Sequence, residues 1–198
     1  MKQRKKQPDV TRQAILQAAG EEFALNGYSG TGLGAIVSRS GLTKGALFHH
    51  FPDKRSLAAV WIQEHLASGL GAVWVTPLSA IGSLDAFRSF CRARCLEIRP
   101  DDAVSVLVSL AAECSADPQL GAALAGVHAA WNAAIAGLLE RGKADGWIHR
   151  SIQPATEAAF LVSAFCGFTI AAKCSPEEGT RRSAAAALEG YLETLRAQ

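Results

Sequence analysis

Residues 31–54, TGLGAIVSRSGLTKGALFHHFPDK, contain two short helical patterns separated by a turn. Apolar side chains recur at helical spacing over about residues 33–40 and again over about residues 44–50. Gly41 lies between the two patterns and permits a sharp turn, since glycine adopts a positive φ without steric cost. Two short helices joined in this way predict a helix-turn-helix motif over about residues 32–51.

A helix before the motif completes a three-helix module. Asp9 can cap this first helix, and Gly27 can end it as a left-handed residue. Thr31, Thr43 and Asp53 stand where they can cap the next three helices. The module also has an apolar set that can hold its helices at a fixed angle: Ile15, Phe23, Leu33, Ile36, Val37, Leu42, Leu47 and Phe51.

The second helix of the motif carries groups that suit a DNA duplex. Lys44, His49 and His50 are expected to be exposed on it, and small Gly45 and Ala46 let the backbone approach DNA. Neutral histidine can donate a hydrogen bond to phosphate near pH 7. Adjacent histidines on a helix point about 100° apart and cannot chelate together, so we predict no metal site and no cofactor.

Charge is distributed unevenly along the 198 residues, although the net charge is only +2. Residues 1–55 carry a net charge of +5, and the remaining residues carry −3. A basic first quarter on a mildly acidic body suggests a segment that binds a polyanion, although charge alone fits a solvated basic tail equally well. Hydrophobic residues at 49% and charged residues at 19% exclude an intrinsically disordered chain.

The rest of the chain is predicted to be helical, which makes the fold all-α with about nine helices. Alanine is abundant, and no strand pattern is present. A fourth helix is expected over about residues 54–75. Helix-start signals and prolines then predict five more helices, over about residues 84–98, 102–115, 118–145, 154–174 and from 178 almost to the end of the chain.

Cysteine usage and hydropathy predict a cytoplasmic protein with no membrane partner. The five cysteines are an odd number and lack CxxC spacing, which is typical of a reducing compartment. The uncharged run 158–172 is shorter than the roughly 20 residues needed to span a bilayer. The run 118–139 is long enough but contains polar residues and three glycines, so we expect both runs to be buried helices.

Several of these residues together resemble the N-terminal signature of TetR-family transcriptional regulators. The similarity lies in Gly27-Tyr28, Thr31, Ile36, Gly41–Phe51 and Lys54. It implies a DNA-binding domain over residues 8–68. It also implies that residues 69–198 form a helical ligand-binding and dimerisation domain, with the last two helices in the dimer.

The resemblance also implies which residues contact an operator of double-stranded DNA. The front of the recognition helix, from Lys44, meets base edges, and His50 and Lys54 face phosphate. Phe48 stands where the family usually has a tyrosine that bonds phosphate, so that contact is expected to be lost. The predicted DNA-binding set is Thr31, Thr43, Lys44, Gly45, Ala46, Phe48, His49, His50 and Lys54. Lys2, Arg4, Lys5 and Lys6 form a candidate arm for the minor groove.

Aromatic and polar residues that share helix faces are candidates for a pocket that binds a small-molecule effector. They are Trp61, His65, Phe87, Cys91, Cys95, Glu113, His128, Trp131 and Phe165. The alternative is that they are ordinary core residues. Glu113 stands out because its neighbours are apolar, so we expect it at a solvent edge or held by a cation such as Arg92, Arg94 or Arg99.

Small residues recur along one face of each of the last two predicted helices. Such ridges allow close approach, so two copies related by a two-fold axis would form a four-helix interface. The predicted dimer residues are Phe160, Ala164, Gly167, Phe168, Ala171, Ala184, Ala187, Leu188 and Tyr191.

The sequence therefore predicts a homodimeric repressor that binds a palindromic operator and is released by a small molecule. A first alternative is a helical binding or scaffold protein without sequence-specific DNA binding. A second is a cysteine-based redox or electrophile sensor, in which Arg92 or Arg94 lowers the pKa of Cys91 or Cys95. An enzyme is not expected, because no spacing sets up a nucleophile and its base.

Overall fold

The computed structural model of the chain describes residues 6–99 and 101–197. Across this part of the chain the regular structure is helical, with one isolated antiparallel β-bridge between Ile148 and Arg196. The helices are α1 (Lys6–Gly30), α2 (Leu33–Ser40), α3 (Lys44–His50), α4 (residues 54–78), α5 (Leu84–Leu96), α6 (Ala103–Cys114), α7 (Pro118–Ala144), α8 (Pro154–Cys174) and α9 (Glu178–Glu193). The prediction of an all-α fold is confirmed.

Helix α4 is less regular than the sequence predicts. Two π-helical segments, Ile62–Leu66 and Gly71–Val75, interrupt its α-helical turns. A π-helical turn adds one residue to the turn and so changes which side chains face inward. The helix also extends to Leu78, three residues beyond the expected end.

The chain divides into two compact units, which we call the head and the body. The head comprises the described residues up to Ser68 together with Ser109–Val127. The body comprises Gly69–Val108 and the described residues from His128 onward. The sequence predicts a single domain for all residues after 68. The structure differs from this prediction, because Ser109–Val127 belong to the head.

Local signals around the helix-turn-helix motif act largely as predicted. The Thr43 side chain caps α3 by accepting a hydrogen bond of 3.1 Å from the Ala46 N–H. Asp53 caps α4 in the same way, at 2.7 Å from the Ser56 nitrogen. Gly41 ends α2 in the left-handed conformation, with φ of 66°.

Two of the expected caps are corrected. Helix α1 begins by Lys6, so Asp9 lies in its first turn and does not cap it. Gly32 is the N-cap of α2, and the Thr31 hydroxyl instead donates to the Gly27 carbonyl at 2.7 Å. Gly27 has the expected positive φ of 68°, but its ψ of 179° bends α1 and lets a last helical turn continue to Gly30.

The core of the head brings α1 to α4 together. Ile15, Phe23, Ile36, Leu47 and Phe51 of the predicted apolar set are buried, whereas the others of that set are only partly covered. The Phe23 ring meets the Trp61 ring edge-on, with 5.6 Å between centroids. This packing holds α3 with Leu47 inward and the neighbouring positions outward.

The core of the body contains an aromatic cluster of Trp74, Trp131 and Phe165. The Trp74 ring centroid lies 4.8 Å from that of Trp131 and 4.4 Å from that of Phe165. Both tryptophans are fully buried. Aromatic pairs at such distances contribute roughly 0.5–1.5 kcal/mol beyond the burial of their area.

Helices α7 and α8 are both long and apolar enough to cross a membrane by length and composition alone. For α8 this corrects the expectation from residues 158–172, because the helix extends beyond the uncharged run to 21 residues. Two such helices are weak evidence for a membrane, and the expectation that both are buried is wrong, because only 39% and 33% of their most apolar stretches are buried.

Two glycines of α7 provide a matched test of body packing. A Cβ at Gly142 would lie 2.6 Å from Ile148 Cγ1 and 2.8 Å from Trp147 Cη2, whereas the nearest atom to a Cβ at Gly137 is 3.9 Å away. We expect Gly142→Ala to lower the free energy of unfolding by roughly 1–3 kcal/mol through overpacking. Gly137→Ala should raise it by roughly 0.5–1 kcal/mol, because alanine favours the helix.

Urea denaturation followed by circular dichroism measures both changes. Equal effects of the two substitutions would contradict the close packing of the turn after α7 against Gly142.

Candidate nucleic-acid interface

Helix α3 presents one continuous exposed surface. Its inward side is fixed by buried Leu47, while Lys44, Gly45, Phe48 and His49 are exposed. Ala46 and His50 are half-buried at the margins of the helix, and Thr43 is exposed at its N-cap. Five of the nine predicted DNA-binding residues thus form one fully exposed surface on or next to α3.

Lys44 is the cation that this surface offers. Residues 32–50 contain Arg39 and Lys44 and no acidic residue. Arg39 is bound to Glu22 at 2.6 Å and to Glu21 at 3.2 Å, which ties α2 to α1. Lys44 forms no ion pair with any residue that the structure describes, and its ammonium lies 5.8 Å from the Phe48 ring centroid.

Thr31 lies inside the head and is therefore not a candidate for DNA contact. Its side chain is 1% exposed and its hydroxyl already donates to the Gly27 carbonyl. A hydroxyl buried in this way cannot reach a duplex without unfolding the turn before α2.

Lys54 has an internal role that its sequence position does not reveal. Its ammonium donates to the carbonyl oxygens of Tyr28 and Thr31, at 2.8 and 2.9 Å, and lies 4.3 Å from the Tyr28 ring centroid. A lysine has three N–H donors. Two of them hold the turn before α2, and the predicted phosphate contact therefore depends on the third.

Glu113 lies in the head and holds the same turn from another side. Its carboxylate accepts a hydrogen bond of 2.7 Å from the Ser29 N–H, and a Cβ at Gly27 would overlap it. Partial burial acts to raise the pKa of Glu113, but hydrogen bonds from the turn outweigh burial and the pKa lies below its usual value. The predicted solvent edge is confirmed, because Glu113 is exposed, and the alternative of a cation is wrong, because a backbone N–H donor binds the carboxylate. Arg92, Arg94 and Arg99 are paired with other carboxylates.

The candidate minor-groove arm, Lys2, Arg4, Lys5 and Lys6, lies outside the residues whose side chains the structure describes.

The body contains a cavity of about 320 Å³. Its lining combines apolar side chains, two of them aromatic, with charged ones from α5 and the turn before α6: Val73, Trp74, Arg94, Glu97, Ile98, Arg99, Asp102, Ala103, Val104, Phe165 and Thr169. The volume lies at the lower end of the range for small-molecule sites.

One of the nine predicted pocket residues, Phe165, lines this cavity. A second, Trp131, is buried behind it and packs against the Phe165 ring. The other seven predicted residues do not line the cavity. Trp61, His65 and Glu113 belong to the head, and His128 is exposed with its ring next to the Asn132 amide. Phe87, Cys91 and Cys95 are buried core residues of α5.

Sequence reasoning missed Trp74, which forms the aromatic wall with Phe165. Trp74 lies in the second π-helical segment, where regular helical spacing does not predict the inward face. Most charges around the cavity already have partners. Glu97 pairs with Arg94, and Asp102 accepts hydrogen bonds from the backbone N–H groups of Arg99 and Ser105.

The buried thiols are poorly suited to electrophile sensing. Burial raises the pKa of Cys91 well above its usual value and that of Cys95 to about 12. Burial raises the pKa of Cys166 as well. The thiolate is the reactive form. The expectation that an arginine lowers the pKa of Cys91 or Cys95 is therefore corrected.

The outer face of α8 and α9 carries most of the predicted dimer residues. Phe160 is 49% exposed, and its ring centroid lies 4.6 Å from that of Tyr191, whose hydroxyl donates to Glu157. Leu188 is corrected, because it is 3% exposed and packs inside the protomer. Ile170, which is not among the predicted dimer residues, is 51% exposed on α8.

Two family profiles match the chain. The profile described as "Bacterial regulatory proteins, tetR family" matches residues 15–60, and the profile described as "BetI-type transcriptional repressor, C-terminal" matches residues 85–197. The second match alone covers more than half of the chain.

Curated relatives and solved structures agree with these profiles. The HTH-type transcriptional regulator LmrA of Bacillus subtilis is 46% identical over 50 residues, which are 25% of this chain and 27% of LmrA. The A-factor receptor protein of Streptomyces griseus is 27% identical over 162 residues, 81% of this chain and 54% of that protein. The chain thus matches about half of these relatives' length or less.

The solved structure of a TetR transcriptional regulator from Chloroflexus aurantiacus has the same fold. It superposes with a TM-score of 0.83 at 23% identity and covers 98% of this chain and 100% of its own. Together with the profile that covers more than half of the sequence, this shows that the chain belongs to the TetR family of bacterial regulatory proteins.

Proposed function

We propose that the chain is a ligand-responsive transcriptional regulator that binds double-stranded DNA and acts as a repressor. The observation that carries this proposal is the exposed surface of α3, where Lys44 forms no ion pair with a described residue and residues 32–50 contain no acidic residue. Such a surface attracts phosphate and can enter the major groove. Family membership supports the same function.

The repressor acts as a homodimer on a palindromic operator. The exposed face of α8 and α9, with Phe160, Ile170 and Tyr191, is the proposed interface. Two copies of α3 would then read half-sites one DNA turn apart, at roughly 34 Å.

A small molecule in the body cavity releases the operator. The wall of Trp74 and Phe165 suits a compact, mostly apolar effector, since the nearby charges are largely paired within the protein. A curated relative is named as a receptor, which agrees with an effector site. Release is a population shift: the effector stabilises a conformation in which the two heads cannot reach successive major grooves.

The remaining alternatives have less support. A scaffold protein would not need an acid-free basic surface on a helix-turn-helix, and thiol sensing is opposed by the raised pKa values of Cys91 and Cys95. We propose a cytoplasmic regulator and no catalytic role, in line with a family of transcriptional regulators.

Lys44→Ala tests the proposed interface. We expect weaker binding to the preferred duplex and relaxed specificity at one or two base pairs, with a loss of roughly 1–3 kcal/mol in binding free energy. Fluorescence anisotropy with labelled duplexes measures the affinity and the stoichiometry, which should be two chains per duplex.

Arg150→Ala is the matched control, because it removes an exposed cation from the body. It should leave operator affinity unchanged. Unchanged affinity of Lys44→Ala at low salt would show that α3 is not the recognition helix.

Lys54→Ala tests the two roles of Lys54 separately. Losing the hydrogen bonds to Tyr28 and Thr31 should lower the free energy of unfolding by roughly 1–3 kcal/mol. Losing a phosphate contact should weaken binding to all sequences alike and reduce the slope of log K against log salt by about 1.

Arg55→Ala is the neighbouring control. Arg55 is largely exposed, and its ion pair with Asp117 is long, at 3.7 Å, so its loss should change stability by less than about 1 kcal/mol. Unchanged stability of Lys54→Ala would contradict its structural role, and an unchanged salt slope would contradict the phosphate contact.

Filling the cavity tests the effector site. Ala103→Trp places a large ring in the cavity, so we expect it to abolish binding of the uncharged dye N-phenyl-1-naphthylamine while operator binding is retained. Dye fluorescence measures the first and anisotropy the second. The control Ala130→Trp adds the same ring at an exposed position of α7. Equal dye binding by the two variants would contradict the proposed site.

A further inference from the structure

Helix α3 exposes a large apolar side chain at the centre of the proposed DNA interface. Phe48 is 43% exposed, although the adjacent Leu47 is buried. A single exposed apolar residue is common on protein surfaces and requires no explanation by itself. The position of this ring does need an explanation, because Phe48 lines a small groove.

Phe48 is one wall of a shallow groove between α2 and α3. The groove has a volume of about 230 Å³ and is lined by Leu33, Gly34, Val37, Lys44, Leu47 and Phe48. A Cβ placed at Gly34 would meet no described atom within 4 Å, so the groove is open on that side. The groove therefore has room for a small apolar group.

The charge around the groove selects the kind of partner. The Lys44 ammonium lies over the Phe48 ring at 5.8 Å, and residues 32–50 contain no carboxylate. An apolar groove beside a free cation suits a molecule that carries both negative charge and a small apolar group. In the major groove of DNA, the C5 methyl of thymine is the apolar group among hydrogen-bonding base edges.

We propose that Phe48 determines sequence specificity by contacting the C5 methyl group of a thymine in each half-site. The ring and the Val37 side chain form the apolar walls, while Lys44 contacts the neighbouring base edge or phosphate. A phenylalanine serves this contact because it has no hydroxyl to keep solvated. The inference rests on the proposed function, since it requires α3 to lie in the major groove.

Removal of one methyl group from the DNA tests this contact directly. The preferred duplex is first selected from a random library with the full-length chain. Each thymine is then replaced by deoxyuridine, which keeps the hydrogen-bonding edge and lacks only the methyl. We expect one position per half-site at which this change weakens binding about fourfold, the effect of burying one methyl-sized group.

Two variants connect that effect to Phe48. For Phe48→Ala, the same deoxyuridine substitution should change affinity by less than about 1.5-fold, because the contact is already absent. For Phe48→Leu, which keeps an apolar side chain, most of the fourfold effect should return. Melting temperatures of both variants verify that the head is folded, and Phe48→Leu carries the comparison if the alanine variant is unstable.

Three results would overturn the proposal and leave the proposed function intact. They are a selected half-site without thymine, a wild-type affinity that no methyl group affects, and a methyl effect of equal size in Phe48→Ala. Unchanged affinity of Phe48→Ala for every duplex would also overturn it and point to a protein partner for the groove. Failure to select any preferred duplex, even at low salt, would instead contradict the proposed function.

Discussion

The backbone turn at residues 27–31 is held from two sides, and the direction of α2 and α3 depends on it. Lys54 donates to two carbonyl oxygens of the turn, and Glu113 accepts from the Ser29 N–H. Carbonyl and N–H groups at a helix end have no partner within the helix, so a turn of this kind needs partners from elsewhere. Gly27 provides the positive φ and the space that the Glu113 carboxylate occupies.

Several basic side chains of the head bind partners within the head itself. Arg39 ties α2 to α1 through two glutamates, Arg12 pairs with Glu64, and Lys54 holds the turn. Each of these three cations already has a partner within the head, so fewer cations are left for a ligand than the basic composition of the segment suggests. Of the two cations in residues 32–50, Arg39 is paired, whereas Lys44 forms no ion pair with a described residue and lies beside Phe48.

The charged groups around the cavity of the body differ from Lys44, because most of them are paired. Most of its charged groups have partners within the protein, so the proposed apolar effector could enter without contacting an unpaired carboxylate. Trp74 and Phe165 provide an aromatic wall that the proposed effector can contact. Cys91 and Cys95 are part of the packed core, where burial keeps them in the unreactive thiol form.

The limits of sequence-based prediction follow from the range of the interactions involved. Thr43, Gly41 and Asp53 act on their own helix ends, so local rules were sufficient to predict the motif. The partner of Glu113 is 84 residues away along the chain, and a local pattern could identify the carboxylate as unusual but not its partner. Trp74 could not be predicted as a cavity residue for a related reason. A π-helical segment changes the direction of its side chain, and the amino-acid composition gives no sign of that segment. Long-range backbone contacts and shifts in helical register therefore determine those parts of the site that residue spacing cannot predict.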